Sequence, residues 1–449
     1  MMKNYFNSQR FSSITVEPSY ALFYFIEHCC SFFHENLLLQ KACRNNATHE
    51  PDLTTACDDE PRGIAFVAYT HSILNLPNTP LMILVATFMI KWSDRAGKLR
   101  KPIILLPLIG IMVEVICASL HSYFWTWPII AVVLTRNFAK TMSGGIILFH
   151  SSASLFVTDN SDEKSRMTRI GMLSLIPHFG IPLSSLVSGY LLRTFGFIYC
   201  YLMCLVLSII SFVLGVILIK DTPVPVTEPV KICNIMNPLQ ILGTVKVLFK
   251  KRAGRKRMIL LLLIFAKMVV NFSITGEHAV FYLYTRHRFH WNEVQYSMFT
   301  AYRHVGLIFG TTISLFVATK VFKLHDALIG CIACGWNAIG ALCYFLAHKN
   351  WHFYVVPWIE MFHSVSKVSG KSLMTKVVDH NELGDLFSSM MILNTMVPLN
   401  KLFYSLLFKE HMDTLPNIFF LISIVLGLIG MVTYYFSYRY SKSGYSRMK

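Results

Sequence analysis

Charge is what this chain has least of. Only 14% of its 449 residues are Asp, Glu, Lys or Arg, where a soluble domain carries about 25%. With 54% hydrophobic residues and a mean hydropathy of +0.49, that scarcity excludes an ordinary globular protein. Acid is the scarcer sign, 24 residues against 41 Lys and Arg. The resulting net charge of +17 does not indicate nucleic acid, because the basic residues sit mainly in loops beside apolar runs. Membrane topology and anionic lipid require that placement. Soluble-enzyme signatures are missing too. There is no glycine-rich phosphate loop, no His-Glu-x-x-His and no Gly-x-Ser-x-Gly, so ATP-driven transport has no support and no cofactor is implied. Cys331-x-x-Cys334 has metal-like spacing but no second pair to complete a site; packed helix residues are the simpler reading.

What the chain does have is apolar length. Twelve runs long enough to cross a bilayer fall near 18–40, 64–90, 102–121, 125–150, 169–192, 196–219, 257–285, 295–319, 324–346, 351–375, 386–408 and 414–438. The segment 220–256 carries Pro223, Pro225 and Pro229, then Lys250, Lys251, Arg252, Arg255 and Lys256. Such a segment separates two sets of six. The expected plan is an N-terminal bundle over 1–219, a linker over 220–256, a C-terminal bundle over 257–438 and a tail over 439–449. All-α and polytopic, it matches the repeat plan of many carriers.

Orientation follows from the loops. The loops 91–101 and 220–256 and the tail are basic and are placed on the cytosolic side. Loop 41–63 carries Glu50, Asp52, Asp58, Asp59 and Glu60 and is placed outside. It also holds the sequon Asn46-Ala47-Thr48, an acceptor on that side only. Cys43 and Cys57 share this oxidising loop and are its natural disulfide pair. The first apolar run is too long for a cleavable signal, so both termini are expected in the cytosol. Tyr445-Ser446-Arg447-Met448 matches a Tyr-x-x-apolar sorting signal, which leaves plasma membrane and lysosomal membrane as equal options.

Three stretches carry a family likeness. Asp94-Arg95-Ala96-Gly97-Lys98, between the second and third runs, resembles the loop motif of major facilitator transporters, with Ile90 where an opening Gly is usual. Thr158 to Leu173 and then Ser188-Gly189-Tyr190-Leu191 resemble the proton-coupled folate transporter family, solute carrier family 46. So do Leu373 to Val378 and Glu382 to Ser388. The resemblance implies the major facilitator fold, twelve membrane helices in two six-helix bundles. It also implies a gating role for Asp94, Arg95, Gly97 and Lys98, through contacts made in one gate state and broken in the other. Positions that carry proton coupling in the folate-carrying member read here as Ser174 and Asn271, while a basic one is kept in type as Lys371. Folate and its proton symport are therefore not carried over whole.

Ionisable residues inside spans are costly and usually face a cavity. Glu360, His363, Lys367 and Lys371 are spaced three, four and four, on one helical stripe. Lys267, Asn271 and His278 form another, beside Glu277. Glu27, His28 and His34 lie in the first run, Arg136 and Lys140 in the fourth. The resemblance makes runs one, four, seven and ten the cavity liners, and these residues concentrate there. Their surplus of Lys and Arg favours an anionic organic solute, and their carboxylates and histidines supply groups that can take up protons. Membrane lipids are the other expected partner. The leading expectation is a secondary transporter working by alternating access, and the alternative is a transport-incompetent relative serving as receptor or scaffold.

Overall fold

The computed structural model describes residues 15–44, 49–50, 53, 60–74, 76–160, 163–221, 248–250, 252, 255–378, 382, 386, 389–390, 393 and 396–445. Among the described residues every regular element is helical. The chain divides into two compact units. Unit 1 comprises Met1–Thr70, Pro77–Met236 and Asn292–Ala301, and unit 2 comprises His71–Leu76, Asn237–Trp291 and Tyr302–Lys449.

Unit 1 begins with α1 (Glu17–Cys43), whose first turn holds Pro18 and Glu17. Proline has no N–H to leave unsatisfied there, and a carboxylate suits the positive end of the helix dipole. The apolar run 64–90 becomes two helices, α2 (Glu60–Tyr69) and α3 (Asn78–Arg95), with a π turn at Thr70–Leu74 after α2. Next comes α4 (Lys101–Tyr123), again with proline in its first turn.

The fourth run is broken. It gives α5 (Ile129–Met142) and α6 (Gly145–Asp159), separated at Ser143–Gly144. Gly144 has φ 69°, a left-handed conformation that a side chain would strain. The run of hydrogen bonds labelled α7 (Glu163–Leu218) is two helices meeting at Gly196, where φ is 74° and ψ 178°. Inside unit 1, α1 and α4 pack on α7, and α3 on α6. The second half of α7 turns Leu202, Val206, Ile209, Val213 and Ile217 outward, as a lipid-facing helix must, because hydrocarbon satisfies apolar side chains without burial in protein.

Unit 2 contains α8 (Lys256–Phe289) and α9 (Glu293–Phe316, its first turns counted with unit 1), with a π turn at Val317–Val321 after α9. Then come α10 (Asp326–Phe345), α11 (Asn350–Glu360), α12 (Val365–Val377), α13 (Val397–His411) and α14 (Ile418–Tyr445). The tenth run is also interrupted, at Met361–Ser364 between α11 and α12. α14 packs on α8 and α10, and α13 on α8. Among the described residues five helical stretches are long and apolar enough to span a bilayer by themselves: Lys101–Tyr123, Ile176–Leu218, Lys256–Phe289, Asp326–Phe345 and Ile418–Ser441. The interruptions explain why the fourth and tenth runs are not among them.

Candidate solute and proton site

Two of the interrupted runs hold corresponding places, fourth in each half, and each of these breaks lies beside buried charge. Interrupted membrane helices free backbone groups and concentrate polar side chains at one depth, which is how carriers build binding sites near the midplane.

In unit 1, α5 supplies Arg136 and Lys140 just before its break. The Lys140 ammonium meets Glu27 of α1 and lies 3.6 Å from Glu114 Oε1 on α4. Arg136 Nε donates to the same Glu114 oxygen at 2.9 Å, and its Nη2 donates to Ser31 Oγ at 2.9 Å. Two acids thus face two bases, and the cluster is formally neutral. Next to it a small cavity, lined in part by His34, Glu114, Thr135, Arg136 and Tyr201, is about the size of one water. Glu114 Oε2 and the Tyr201 hydroxyl have no protein hydrogen-bond partner. His28 packs its ring 6.4 Å from that of Tyr24.

Unit 2 is arranged differently. Glu360, the last residue of α11, receives both Nε and Nη2 of Arg303 from α9, the latter at 3.2 Å. Tyr344 of α10 donates to Glu360 Oε1 at 3.2 Å. The guanidinium also sits 4.9 Å from the Phe281 ring and 5.4 Å from that of Tyr344, where aromatic faces favour a cation. Gly340 makes this seat possible, since a Cβ there would come within 2.8 Å of Glu360 Cβ. His363, in the break, lies 2.8 Å by Nδ1 from the Glu360 carbonyl.

Glu277 is buried on α8 and accepts from Ser273 at 3.2 Å; no base pairs with it among the described residues. The His278 and His304 rings stack at 6.3 Å. On the neighbouring turn Thr275 donates to the Asn271 carbonyl at 2.6 Å and accepts from Asn400 at 3.0 Å.

The lysines stand apart from these pairs. The Lys267 ammonium touches the Met390 sulfur at 3.2 Å and lies within electrostatic reach of Lys371 and Lys367. Lys367 has no ion-pair partner among the described residues, and both Lys367 and Lys371 are exposed on the face of α12. Three bases from α8 and α12 therefore share one region of unit 2.

The loop motif folds into a turn in which Gly97 and Lys98 both have positive φ, 82° and 61°. Arg100, the residue just before α4, organises it. Its guanidinium pairs with Asp94 at 2.7 Å and with Asp159 at the end of α6 at 2.9 Å. Lys98 reaches Asp159 at 3.3 Å, and Asp221 accepts from the Arg100 and Lys101 backbone at 3.0 and 2.9 Å. Arg95 is exposed. Counting charge in the loop cannot rank Arg95 against Arg100; the buried position of Arg100 at the start of α4 does.

Other expected sites are only partly described. Cys43 is disulfide-bonded, while Cys57, Asn46 and Met448 lie outside the described residues, as does the side chain of Tyr445. Glu114 and Arg303 lie outside the four lining runs, yet each pairs with a residue that was singled out. Tyr20, Tyr24 and His150 were missed altogether. The signal for the first two was the four-residue spacing Tyr20, Tyr24, His28 on one face of α1.

Residues 67–399 match the Major Facilitator Superfamily profile. A curated relative in Drosophila melanogaster, the probable peptidoglycan muropeptide transporter SLC46, is 23% identical over 365 residues, 76% of this chain and 67% of that protein. The Homo sapiens lysosomal proton-coupled steroid conjugate and bile acid symporter SLC46A3 is 26% identical over 337 residues, 70% of this chain and 67% of that one. Among solved structures, the human organic anion transporter MFSD10 (TETRAN) superposes with a TM-score of 0.62 at 14% identity, covering 93% of this chain and 97% of that chain. At that identity the likeness speaks for the fold alone.

Proposed function

We propose that this chain, a member of the Major Facilitator Superfamily similar to solute carrier 46 transporters, carries a small organic anion across a membrane by alternating access, with proton coupling. The observation that carries this reading is the lysine group Lys267, Lys367 and Lys371. The other charged centres are committed to partners inside the protein, Arg136 to Glu114, Lys140 to Glu27 and Arg303 to Glu360. Lys367 is not so committed, and an unpaired ammonium at an interrupted membrane helix is costly unless it meets an anion.

Steroid conjugates and bile acids, the cargo named for the human relative, combine an anionic group with a large apolar body. Met390 and Leu393, which pack on the core of unit 2, supply an apolar surface close to Lys267. The gating turn around Arg100 serves as the latch of one gate state. The lysosomal membrane is the proposed location, in line with that relative's name, with Asn46 glycosylated on the lumenal side and residues 220–256 linking the two bundles in the cytosol.

The test is uptake of radiolabelled taurocholate into proteoliposomes under an imposed acid-outside gradient. Wild type is expected to concentrate it, and Lys367→Ala to lose that uptake at unchanged thermal stability. Wild-type protein that binds the anion without moving it would point instead to a receptor.

A further inference from the structure

A line of polar groups joins α1 to the α5–α6 pair through unit 1. It starts at the end of α1, where Arg169 grips Glu17 at 3.0 Å. One turn farther, the His150 imidazole of α6 meets the Tyr20 hydroxyl, with the Tyr24 hydroxyl 3.4 Å from the same Nδ1. The two hydroxyls are 3.3 Å apart. One more turn brings the Glu27–Lys140 pair and His28. From Tyr20 to Glu27 the rise is about 10 Å.

Tyr20 is fully buried and stacked on Phe149 at 5.6 Å, so its hydroxyl is held in place rather than swinging in solvent. His150 by contrast is exposed at the surface of unit 1. Packing alone does not account for this triad. A hydroxyl pair under apolar cover needs one acceptor, and a backbone carbonyl would serve. Here the partner, able to accept or donate according to its tautomer, is the one side chain type whose ordinary titration falls near neutral pH.

We propose that His150, Tyr20 and Tyr24 form a proton relay in unit 1, with the exposed imidazole as its mouth and the Glu27–Lys140 pair as its destination. The proposal rests on the proton-coupled reading above. In one passage His150 takes a proton on one ring nitrogen and releases another from Nδ1 to Tyr20. Each tyrosine oxygen accepts one proton as it gives up its own to the next group. The last proton reaches the level of the Glu27 carboxylate, neutralising it and weakening its hold on Lys140. After the passage each group holds as many protons as before, with the imidazole in its other tautomer and the hydroxyls turned; a ring flip and hydroxyl rotation reset the line, so no other reactant is required. The groups facing the triad are Tyr20, Tyr24, Glu27 and His28 from α1 and Lys140 from α5. Beyond His150 along α6 come Ser151, Ser152, Ser154 and Thr158, each turned to its own helix backbone, and then Asp159, paired with Arg100 and Lys98.

The test compares two modes of taurocholate movement in proteoliposomes. Uptake driven by a proton gradient needs net proton passage. Exchange at equal pH returns the loaded carrier without releasing its proton, and so does not. His150→Gln and Tyr20→Phe are expected to cut gradient-driven uptake on the order of a hundredfold, with exchange and thermal stability preserved. Equal loss of both modes, or loss of neither, overturns the relay.

A solute-independent arm uses protein in nanodiscs with 15N-labelled histidine, the His150 signal being assigned by its disappearance in His150→Gln. Its ring is expected to change protonation between about pH 5 and 8, and Tyr20→Phe to move that change. An imidazole with one fixed state over that range, or one indifferent to Tyr20, overturns the relay. Absence of wild-type gradient-driven uptake would instead strike the proposed function, and this arm would still decide the relay.

Discussion

Two buried charge clusters, one per unit, solve the same problem in opposite ways. In unit 1 a single carboxylate oxygen of Glu114 is shared by Arg136 and Lys140, and Glu27 supplies the second negative charge. The cluster closes on itself. In unit 2 Arg303 and Glu360 form a two-point pair with only 8% and 5% of their side chains exposed, while Lys367 has no ion-pair partner among the described residues. A closed cluster keeps helices in register. An ammonium group without a partner, as at Lys367, is open to an anion. The difference teaches that basic residues counted along a path are a poor measure of its charge, because four of the ionisable residues in unit 1 cancel each other. The cationic character assigned to the passage belongs to unit 2.

Breaking the most deeply buried pair should have the largest effect. Glu360→Ala leaves the Arg303 guanidinium buried without its counterion, and a loss of about 3–5 kcal/mol is expected, read as a lower melting temperature or as no recoverable protein. Replacing both residues by methionine should return most of that stability, because the desolvated charge is then gone as well. A double variant no better than the single would mean that Arg303 is held by Phe281 and Tyr344 rather than by Glu360.

Unit 1 should be more forgiving. In Glu114→Gln, Arg136 keeps Ser31 and Lys140 keeps Glu27, so the expected cost is about 1–3 kcal/mol in the same melting experiment. Equal losses in the two units would erase the contrast drawn here. Lys367→Ala sharpens it from the other side. Removing a lysine with no internal partner should change stability by no more than about 0.5 kcal/mol, while anion uptake is lost.

The smallest effects concern pH at loops outside the spans, and they carry opposite signs. Glu382 in unit 2 receives the Lys250 ammonium, and Arg252 lies 2.9 Å away; these hold its carboxyl below the usual range. Its contribution is therefore present above the unfolded value of about 4.3 and is lost as pH falls through the folded one. Glu50 in unit 1 is pushed up by burial, an effect that hydrogen bonds from the Phe197 and Ile198 backbone partly offset. Its contribution is present at low pH and fades as pH rises through its folded value. Melting curves recorded against pH should flatten on the acid side in Glu382→Gln and on the neutral side in Glu50→Gln.

Much of this protein was legible before any coordinates. Twelve apolar runs, a basic loop at Lys91–Lys101 and charge gathered in runs one, four, seven and ten follow from composition and period. The bilayer imposes both on the linear chain: every spanning segment must be apolar, and every charge inside one needs a reason. Those constraints act residue by residue, so they can be read residue by residue.

Partnership is another matter. Nothing in the spacing of Glu27, Arg136 and Lys140 says that Glu114 will pair with two of them, or that Arg303, in run eight, will claim Glu360. Likewise Asp94-Arg95-Ala96-Gly97-Lys98 is visible as a motif, but Arg100 becomes its centre only when Asp94 and Asp159, 65 residues apart in the chain, arrive at its guanidinium. The interruption at Met361–Ser364 has no proline or glycine within it to announce it. An ion pair costs or stabilises according to the distance between helices and the water left between them, and only the tertiary structure decides either.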